Sequence, residues 1–186
     1  MSEITLAESI TSDNSNVDGK DCTVGHFISE SDGQRIVALA AAWVGTPYRL
    51  LGAGSEIGVG GDCSGTTNKI FVDAGFRYPY QSTSSFAAFA KKTNRFRQID
   101  LAKERPQAGD ILLWPGHMAI YAAFKSDSQN YDGKLVKHGV PKFNDIYTAF
   151  RPGGRPYGPF NSEMIRNDRY VVYRYYILPG EENCEK

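Results

Sequence analysis

The chain has 186 residues, a formal net charge of zero and a charged fraction of 23%. This length favours one domain and is sufficient to bury a hydrophobic core. The balanced charge argues against a nucleic-acid-binding protein, which normally carries a basic excess, and no stretch approaches the roughly 18 consecutive apolar residues of a membrane span.

The amino-terminal segment, residues 1–32, is mostly polar, and we expect it to form a mobile or loosely docked arm. It lacks the basic and apolar regions of a signal peptide. We therefore expect the protein to be made in the cytoplasm and any export to use a different route. Residues 33–180 are predicted to form a single domain, followed by a tail over residues 181–186.

Helices are predicted in the first half of this domain. Apolar residues recur at helical spacing from Ile36 to Trp43, and again from Thr67 to Ala74. A glycine-rich loop over residues 51–61 separates the two helices, and the second is expected to begin near Asp62–Ser64. A third, short helix is predicted over residues 83–92.

The second half has the character of strands. Candidates are the apolar run Ile111–Trp114, the alternating segment His117–Phe124, and later stretches at Leu135–Val136, Ile146–Phe150 and Tyr170–Leu178. The Pro- and Gly-rich stretch that begins at Arg151 is predicted to be a loop. Helices followed by strands favour an α+β fold with a mainly antiparallel sheet.

Three cysteines are present, Cys22, Cys63 and Cys184. No two have the spacing of a zinc or thioredoxin motif. Cys22 and Cys184 lie near opposite ends of the chain and would be able to pair in an oxidising compartment.

Cys63 lies where the glycine-rich loop meets the second predicted helix. A helix N-terminus favours thiolate, the nucleophilic form of cysteine, and its backbone N–H groups can stabilise an oxyanion. A lone cysteine is more often a small buried core residue, and its position alone leaves both interpretations open.

His117 opens an alternating strand after a Pro-Gly turn. A catalytic thiol requires a base within hydrogen-bond reach, and histidine is the usual base near neutral pH. The chain contains only three histidines, and His26 and His138 fall in polar segments. His117 is therefore the natural partner if Cys63 is catalytic, although spacing alone also fits a structural histidine.

Five segments together resemble the NlpC-type family of bacterial cell-wall cysteine peptidases. They occur in the order and at roughly the separations typical of that family. They are Trp43-Val-Gly-Thr-Pro-Tyr48, Gly61-Asp-Cys-Ser-Gly65, Ala74-Gly-Phe76 with Ser82 beyond it, Pro106-Gln-Ala-Gly-Asp-Ile111 and Gly116-His-Met-Ala-Ile-Tyr121.

The resemblance implies a papain-like α+β fold, with the nucleophile helix packed on a mainly antiparallel sheet. Cys63 then matches the nucleophile and His117 the base. Residues that match the cleft lining are Tyr48, Asp62, Ser64 and Gly65. The implied reaction is hydrolysis of the γ-D-glutamyl–diaminopimelate bond of the peptidoglycan stem peptide, with no metal or organic cofactor.

The third catalytic position departs from the family pattern. The family often places His, Asn or Gln before an alanine on the strand after the base, where it orients the imidazole. Aligning that alanine with Ala149 places Thr148 there. His138, Asn144, Asp145 or a backbone carbonyl remain alternatives.

The resemblance and the missing signal peptide together suggest an antibacterial amidase effector of the type VI secretion class. Such an enzyme would act in the periplasm of a target cell and be paired with a periplasmic immunity protein. A phage-associated wall-lytic enzyme, a thiol acyltransferase of the same fold and a non-catalytic peptide-binding module are the alternatives.

Overall fold

The computed structural model describes residues 24–151 and 154–181. Four α-helices are found in these ranges: α1 (Glu30–Ala42), α2 (Cys63–Asp73), α3 (Phe86–Thr93) and α4 (Ser162–Ile165). The strands are β1 (His26–Phe27), β2 (Phe96–Ile99), β3 (Ile111–Trp114), β4 (His117–Tyr121), β5 (Leu135–Lys137), β6 (Val140–Lys142), β7 (Ile146–Phe150), β8 (Arg155–Phe160) and β9 (Val171–Ile177). The predicted α+β fold with a mainly antiparallel sheet is confirmed.

Seven strands form the main sheet, in the order β1-β9-β3-β4-β7-β8, with β2 also paired to β9. All of these pairings are antiparallel. Strands β5 and β6 form a separate hairpin. Strand β4, which begins with His117, therefore lies in the interior of the sheet between β3 and β7.

The two faces of the sheet carry separate hydrophobic clusters, as side-chain alternation requires. Helices α1 to α3 cover one face, where Ile36, Phe71 and Phe86 pack with Met118 and other inward residues of the strands. The second cluster contains Leu112, Trp114, Ala119, Ile146 and Val172, with Ile165 of α4 packed against it. Helix α2 lies against β4 and β7 and is thereby fixed beside the start of β4.

The described part of the predicted arm is docked on the domain. Ile28 is buried in the core, β1 pairs with the end of β9, and Ser29 caps α1 in a reciprocal capping box with Asp32. Helix α1 consequently begins three residues before the boundary predicted at residue 33. The rest of the arm, residues 1–23, lies outside the described residues, as do Cys22 and Cys184.

The prediction of a loop in the stretch that begins at Arg151 is wrong from Arg155 onward, because Arg155–Phe160 forms β8. Proline and glycine suggested a loop there. Strand β8 is an edge strand of the sheet, where the missing N–H of a proline costs no ladder hydrogen bond. Strands β1, β2 and β6 and helix α4 were not predicted; each has four residues or fewer, too short to show a hydrophobic period.

Candidate active site at the start of helix α2 and strand β4

Cys63 is the first residue of α2, as predicted, and Asp62 is its N-cap. The Asp62 carboxylate accepts hydrogen bonds from the backbone N–H of Gly65 at 2.8 Å and of Gly52 at 2.5 Å. The first bond satisfies an N–H group that the helix leaves unpaired. The second ties the glycine-rich loop to the helix, so Asp62 fixes the position of Cys63 on both sides.

Two further residues predicted to line the cleft, Ser64 and Gly65, stabilise the contact between the loop and the helix. The Ser64 hydroxyl donates to Asp62 at 2.9 Å and lies 3.1 Å from the hydroxyl of Tyr80. A Cβ at Gly65 would lie 2.1 Å from the carbonyl oxygen of Gly52, so only glycine allows the loop to approach the helix this closely. Asp62, Ser64 and Gly65 thus hold the loop against helix α2.

The environment of Cys63 does not favour the thiolate that was expected from its position in the sequence. Burial raises the pKa of the Cys63 thiol to about 11, although hydrogen bonds from the backbone N–H of Met118 and Ser64 lower it. Desolvation disfavours the charged form more than the amides at the helix N-terminus favour it. In this structure, without substrate, Cys63 is therefore a neutral thiol near pH 7.

The thiol and the predicted base lie at neighbouring positions. The backbone amide of Met118, the residue that follows His117, is close enough to the sulfur of Cys63 to lower the pKa of the thiol. The thiol and the imidazole do not hydrogen-bond each other in the described structure. Catalytic hydrogen bonds in substrate-free enzymes are often long and tighten when substrate binds.

His117 is only 5% exposed. The rings of Trp114 and Phe150 flank its imidazole, each with its centroid 5.5 Å away. Burial, and secondarily the positive charge of Arg166, lowers the pKa of His117 to about 4. The imidazole is therefore neutral near pH 7 and is able to accept a proton.

Thr148 lies beside His117, as the alignment with Ala149 predicts. Its Oγ1 lies 3.4 Å from His117 Nε2 and donates a hydrogen bond to the carbonyl of Met118 at 2.8 Å. Because the hydroxyl proton is committed to that carbonyl, the oxygen can only accept from Nε2–H. This arrangement favours the tautomer that leaves Nδ1 free as the base.

The three alternatives to Thr148 have other surroundings. His138 is exposed in the turn of the β5–β6 hairpin. Asn144 donates to the carbonyl of Asn130, and Asp145 accepts from the backbone and hydroxyl of Ser162. Among the four side chains considered from the sequence, Thr148 is the one that hydrogen-bonds His117.

Tyr48 lies near Cys63. Its backbone bridges to Gly61, and its partly buried side chain packs against the same core cluster as Cys63. Burial raises the pKa of Tyr48, the charges of Cys63 and Asp62 raise it further, and Arg151 lowers it. The phenol is therefore a neutral donor at the edge of the site.

Sequence reasoning missed two residues of this site, Phe150 and Arg166. Phe150 ends β7 and contacts the imidazole edge-to-face. Arg166 directly follows α4 and donates from Nη2 to the carbonyl of Pro115 at 3.1 Å. Helix α4 showed no period in the sequence, so nothing indicated that it brings a cation next to His117.

A groove of about 610 Å³ lies on the far side of Phe150. Asp132, Leu135 and Asn144 line one side, and β8 and α4 contribute Arg155, Phe160 and Met164. Because Phe150 lines this groove and contacts His117, the lining residues within 132–144 and 155–165 form surface next to the candidate site.

Residues 24–151 and 154–181 contain neither a metal-binding cluster nor a membrane-spanning helix. No group of three or more His, Cys, Asp and Glu side chains there is arranged to hold a metal ion. No helix in this part of the chain has the length and apolar character needed to cross a membrane.

Comparisons with known proteins place this geometry in a family. The NlpC/P60 family matches residues 45–144, more than half of the chain, and this range includes the glycine-rich loop, helix α2 and strands β3 and β4. No curated protein matches the sequence. A Staphylococcus aureus subsp. aureus Mu50 structure, described as similar to lipoprotein, NLP/P60 family, is 20% identical, with a TM-score of 0.48.

The alignment with that structure covers 82% of this chain and 43% of the other, so this chain spans less than half the length of the S. aureus protein. On the family match, the chain belongs to the NlpC/P60 family and has its papain-like α+β fold.

Proposed function

We propose that the protein is a cysteine amidase that hydrolyses an amide bond in the peptidoglycan stem peptide. The observation that carries this proposal is the arrangement of three side chains. Cys63 begins a capped helix, the backbone amide of the residue after His117 lowers the pKa of its thiol, and Thr148 Oγ1 lies 3.4 Å from His117 Nε2. Nucleophile, base and orienting group are the three parts of a thiol hydrolase.

The proposed reaction starts from the neutral thiol and imidazole. As substrate binds, Cys63 Sγ attacks the carbonyl carbon while Nδ1 of His117 takes the thiol proton. The imidazolium then donates this proton to the leaving amine, and the C–N bond breaks to give a thioester. Water, deprotonated by His117, attacks the thioester and releases a free carboxylate and the Cys63 thiol.

Charge on the reacting oxygen is expected to be stabilised by backbone N–H groups at the start of α2. The N–H groups of Cys63 and Ser64 already lower the pKa of the thiol, and they need no reorganisation during the reaction. Tyr48 is proposed to add a phenol donor at the edge of the cleft. The residues Asp62, Ser64 and Gly65 are proposed to act by holding the loop that forms its wall.

The scissile bond we propose is γ-D-glutamyl–diaminopimelate, which the family resemblance suggests. Purified protein should be incubated in ¹⁸O-labelled water with tetrapeptide muropeptides and cross-linked dimers, and the fragments identified by mass. Hydrolysis at this bond predicts a new glutamyl carboxylate that carries one ¹⁸O atom. A new ester or amide instead of a carboxylate would identify acyl transfer and overturn the proposal.

An effector role is a separate proposal, together with action in the periplasm of a target cell and inhibition by an immunity protein. It predicts that the protein is toxic when a signal peptide directs it to the periplasm and harmless in the cytoplasm. The Cys63→Ala variant is the control and should be harmless in both places. Equal toxicity in the two compartments would contradict wall cleavage as the cause.

A further inference from the structure

Arg166 is held beside the candidate catalytic residues by contacts on two sides. Its Nη2 donates to the carbonyl of Pro115, two residues before His117. Its Nε and Nη2 also donate to the carboxylate of Asp168, with Nε at 2.7 Å from Oδ1. These bonds fix the guanidinium at the turn that leads into β4.

One edge of the guanidinium is left for another partner. Asp168 takes the edge formed by Nε and Nη2, while Nη1 has no hydrogen-bond partner within residues 24–151 and 154–181. The side chain is 26% exposed, so solvent and a ligand can reach it. Planar guanidinium donors suit carboxylates, which accept hydrogen bonds that are stronger than those to neutral groups.

The charge of Arg166 acts within the candidate site. It lowers the pKa of His117, after burial. The pKa of Arg166 itself is raised, chiefly by the hydrogen bond to Asp168. The Asp168 side chain is more exposed, at 42%, and solvent screens its charge more strongly. The charge of Asp168 opposes that of Arg166 at His117, but its effect is the smaller of the two.

We propose that Nη1 of Arg166 binds a carboxylate that flanks the scissile amide of the substrate. This inference rests on the proposed function. It specifies the substrate as an anionic peptide that carries a negative charge next to the bond that is cut. A γ-linked D-glutamyl residue has a free α-carboxylate in this position. Its amidated form, D-isoglutamine, has none.

The test compares two tripeptides that differ in one group, L-Ala-γ-D-Glu-diaminopimelate and its D-isoglutamine counterpart. For the wild type, kcat/KM should be about ten- to a hundredfold higher for the carboxylate peptide, as a charged hydrogen bond provides. Arg166→Gln should reduce this ratio to near one, and Arg166→Lys should retain part of it. Arg169→Gln, the same charge change at an exposed arginine three residues further on, should keep the wild-type ratio.

A binding measurement separates this inference from the proposed reaction. Calorimetric Kd values for both peptides should be measured with Cys63→Ala and with Cys63→Ala/Arg166→Gln, after circular dichroism has shown that both are folded. Preference for the carboxylate peptide in the first protein and its loss in the second would support the inference, even if the wild type cleaves neither peptide. Equal Kd values for the two peptides in Cys63→Ala, or equal loss of both in the double variant, would overturn it, even if the wild type cleaves both.

Discussion

Burial controls the protonation of the two side chains proposed to react. It raises the pKa of Cys63 to about 11 and lowers the pKa of His117 to about 4. Both shifts favour the neutral thiol and neutral imidazole over the ion pair near pH 7. His117 is therefore expected to act as a general base that takes the thiol proton during attack.

The lowered pKa of His117 predicts a dependence of stability on pH. Between about pH 6.5 and pH 4 the unfolded chain binds a proton at His117 and the folded chain does not, so the free energy of unfolding falls as the pH falls. Over this whole window the loss is about 3 kcal/mol. Urea unfolding of wild type and His117→Asn at pH 7.0, 5.5 and 4.5 measures the difference, and other titrating groups cancel between the two. Parallel curves would contradict a buried neutral imidazole.

Thr148 is predicted to orient His117 through its oxygen. Thr148→Val keeps the shape but removes the acceptor for Nε2–H, so kcat should fall by about three- to tenfold with little change in KM, the effect of one neutral hydrogen bond. Thr148→Ser should retain most of the activity. His138→Ala, at an exposed position, is the control. Full activity of Thr148→Val would assign the orienting role to a backbone carbonyl.

The strands that carry the site are joined by a buried ion pair. Asp110, which directly precedes β3, is fully buried and accepts two hydrogen bonds of 2.8 Å from Arg174 of β9. Burial raises the pKa of Asp110, and the bonds from Arg174 oppose this effect. The pair fixes β3 on β9, and β3 in turn positions the start of β4.

Removing one member of this pair should cost far more than removing both. Arg174→Met leaves a carboxylate buried without its partner and is predicted to lower the free energy of unfolding by about 3–5 kcal/mol. Arg174→Met with Asp110→Leu should recover most of the loss. Chemical denaturation of the three proteins measures this, and an Arg174→Met protein as stable as the wild type would show that the pair does not hold β3.

The docked part of the amino-terminal segment contributes to the stability of the whole fold. A protein that begins at Glu30 lacks β1, the buried Ile28 and the Ser29 cap, whereas one that begins at Val24 keeps them. The shorter protein should be less stable by about 3 kcal/mol, from lost apolar burial and capping. Denaturation midpoints of the two truncated proteins test this. Equal midpoints would show that residues 24–29 do not stabilise the domain, as the boundary predicted at residue 33 implies.

Elements with long sequence patterns were predicted, and elements with short patterns were not. Helices α1 and α2 and strand β4 have clear periods and were predicted, as were β3, β7 and β9 from their apolar, aromatic and β-branched residues. The glycine-rich loop before Cys63 indicated the start of a helix, and the family resemblance placed Thr148 near His117. The neutral state of Cys63 was not predictable, because it depends on burial by distant parts of the chain. Phe150 and Arg166 reach His117 through tertiary packing, which leaves no local pattern.

Cleavage of a defined stem peptide by matched variants tests the central claim most directly. Release of diaminopimelate from L-Ala-γ-D-Glu-diaminopimelate should be measured for wild type, Cys63→Ala and His117→Ala at pH 7, after each is shown to be folded. We predict turnover by the wild type, none by Cys63→Ala, and a loss of about 10²–10⁴-fold for His117→Ala, the usual contribution of a general base. Release by Cys63→Ala at the wild-type rate would contradict the account.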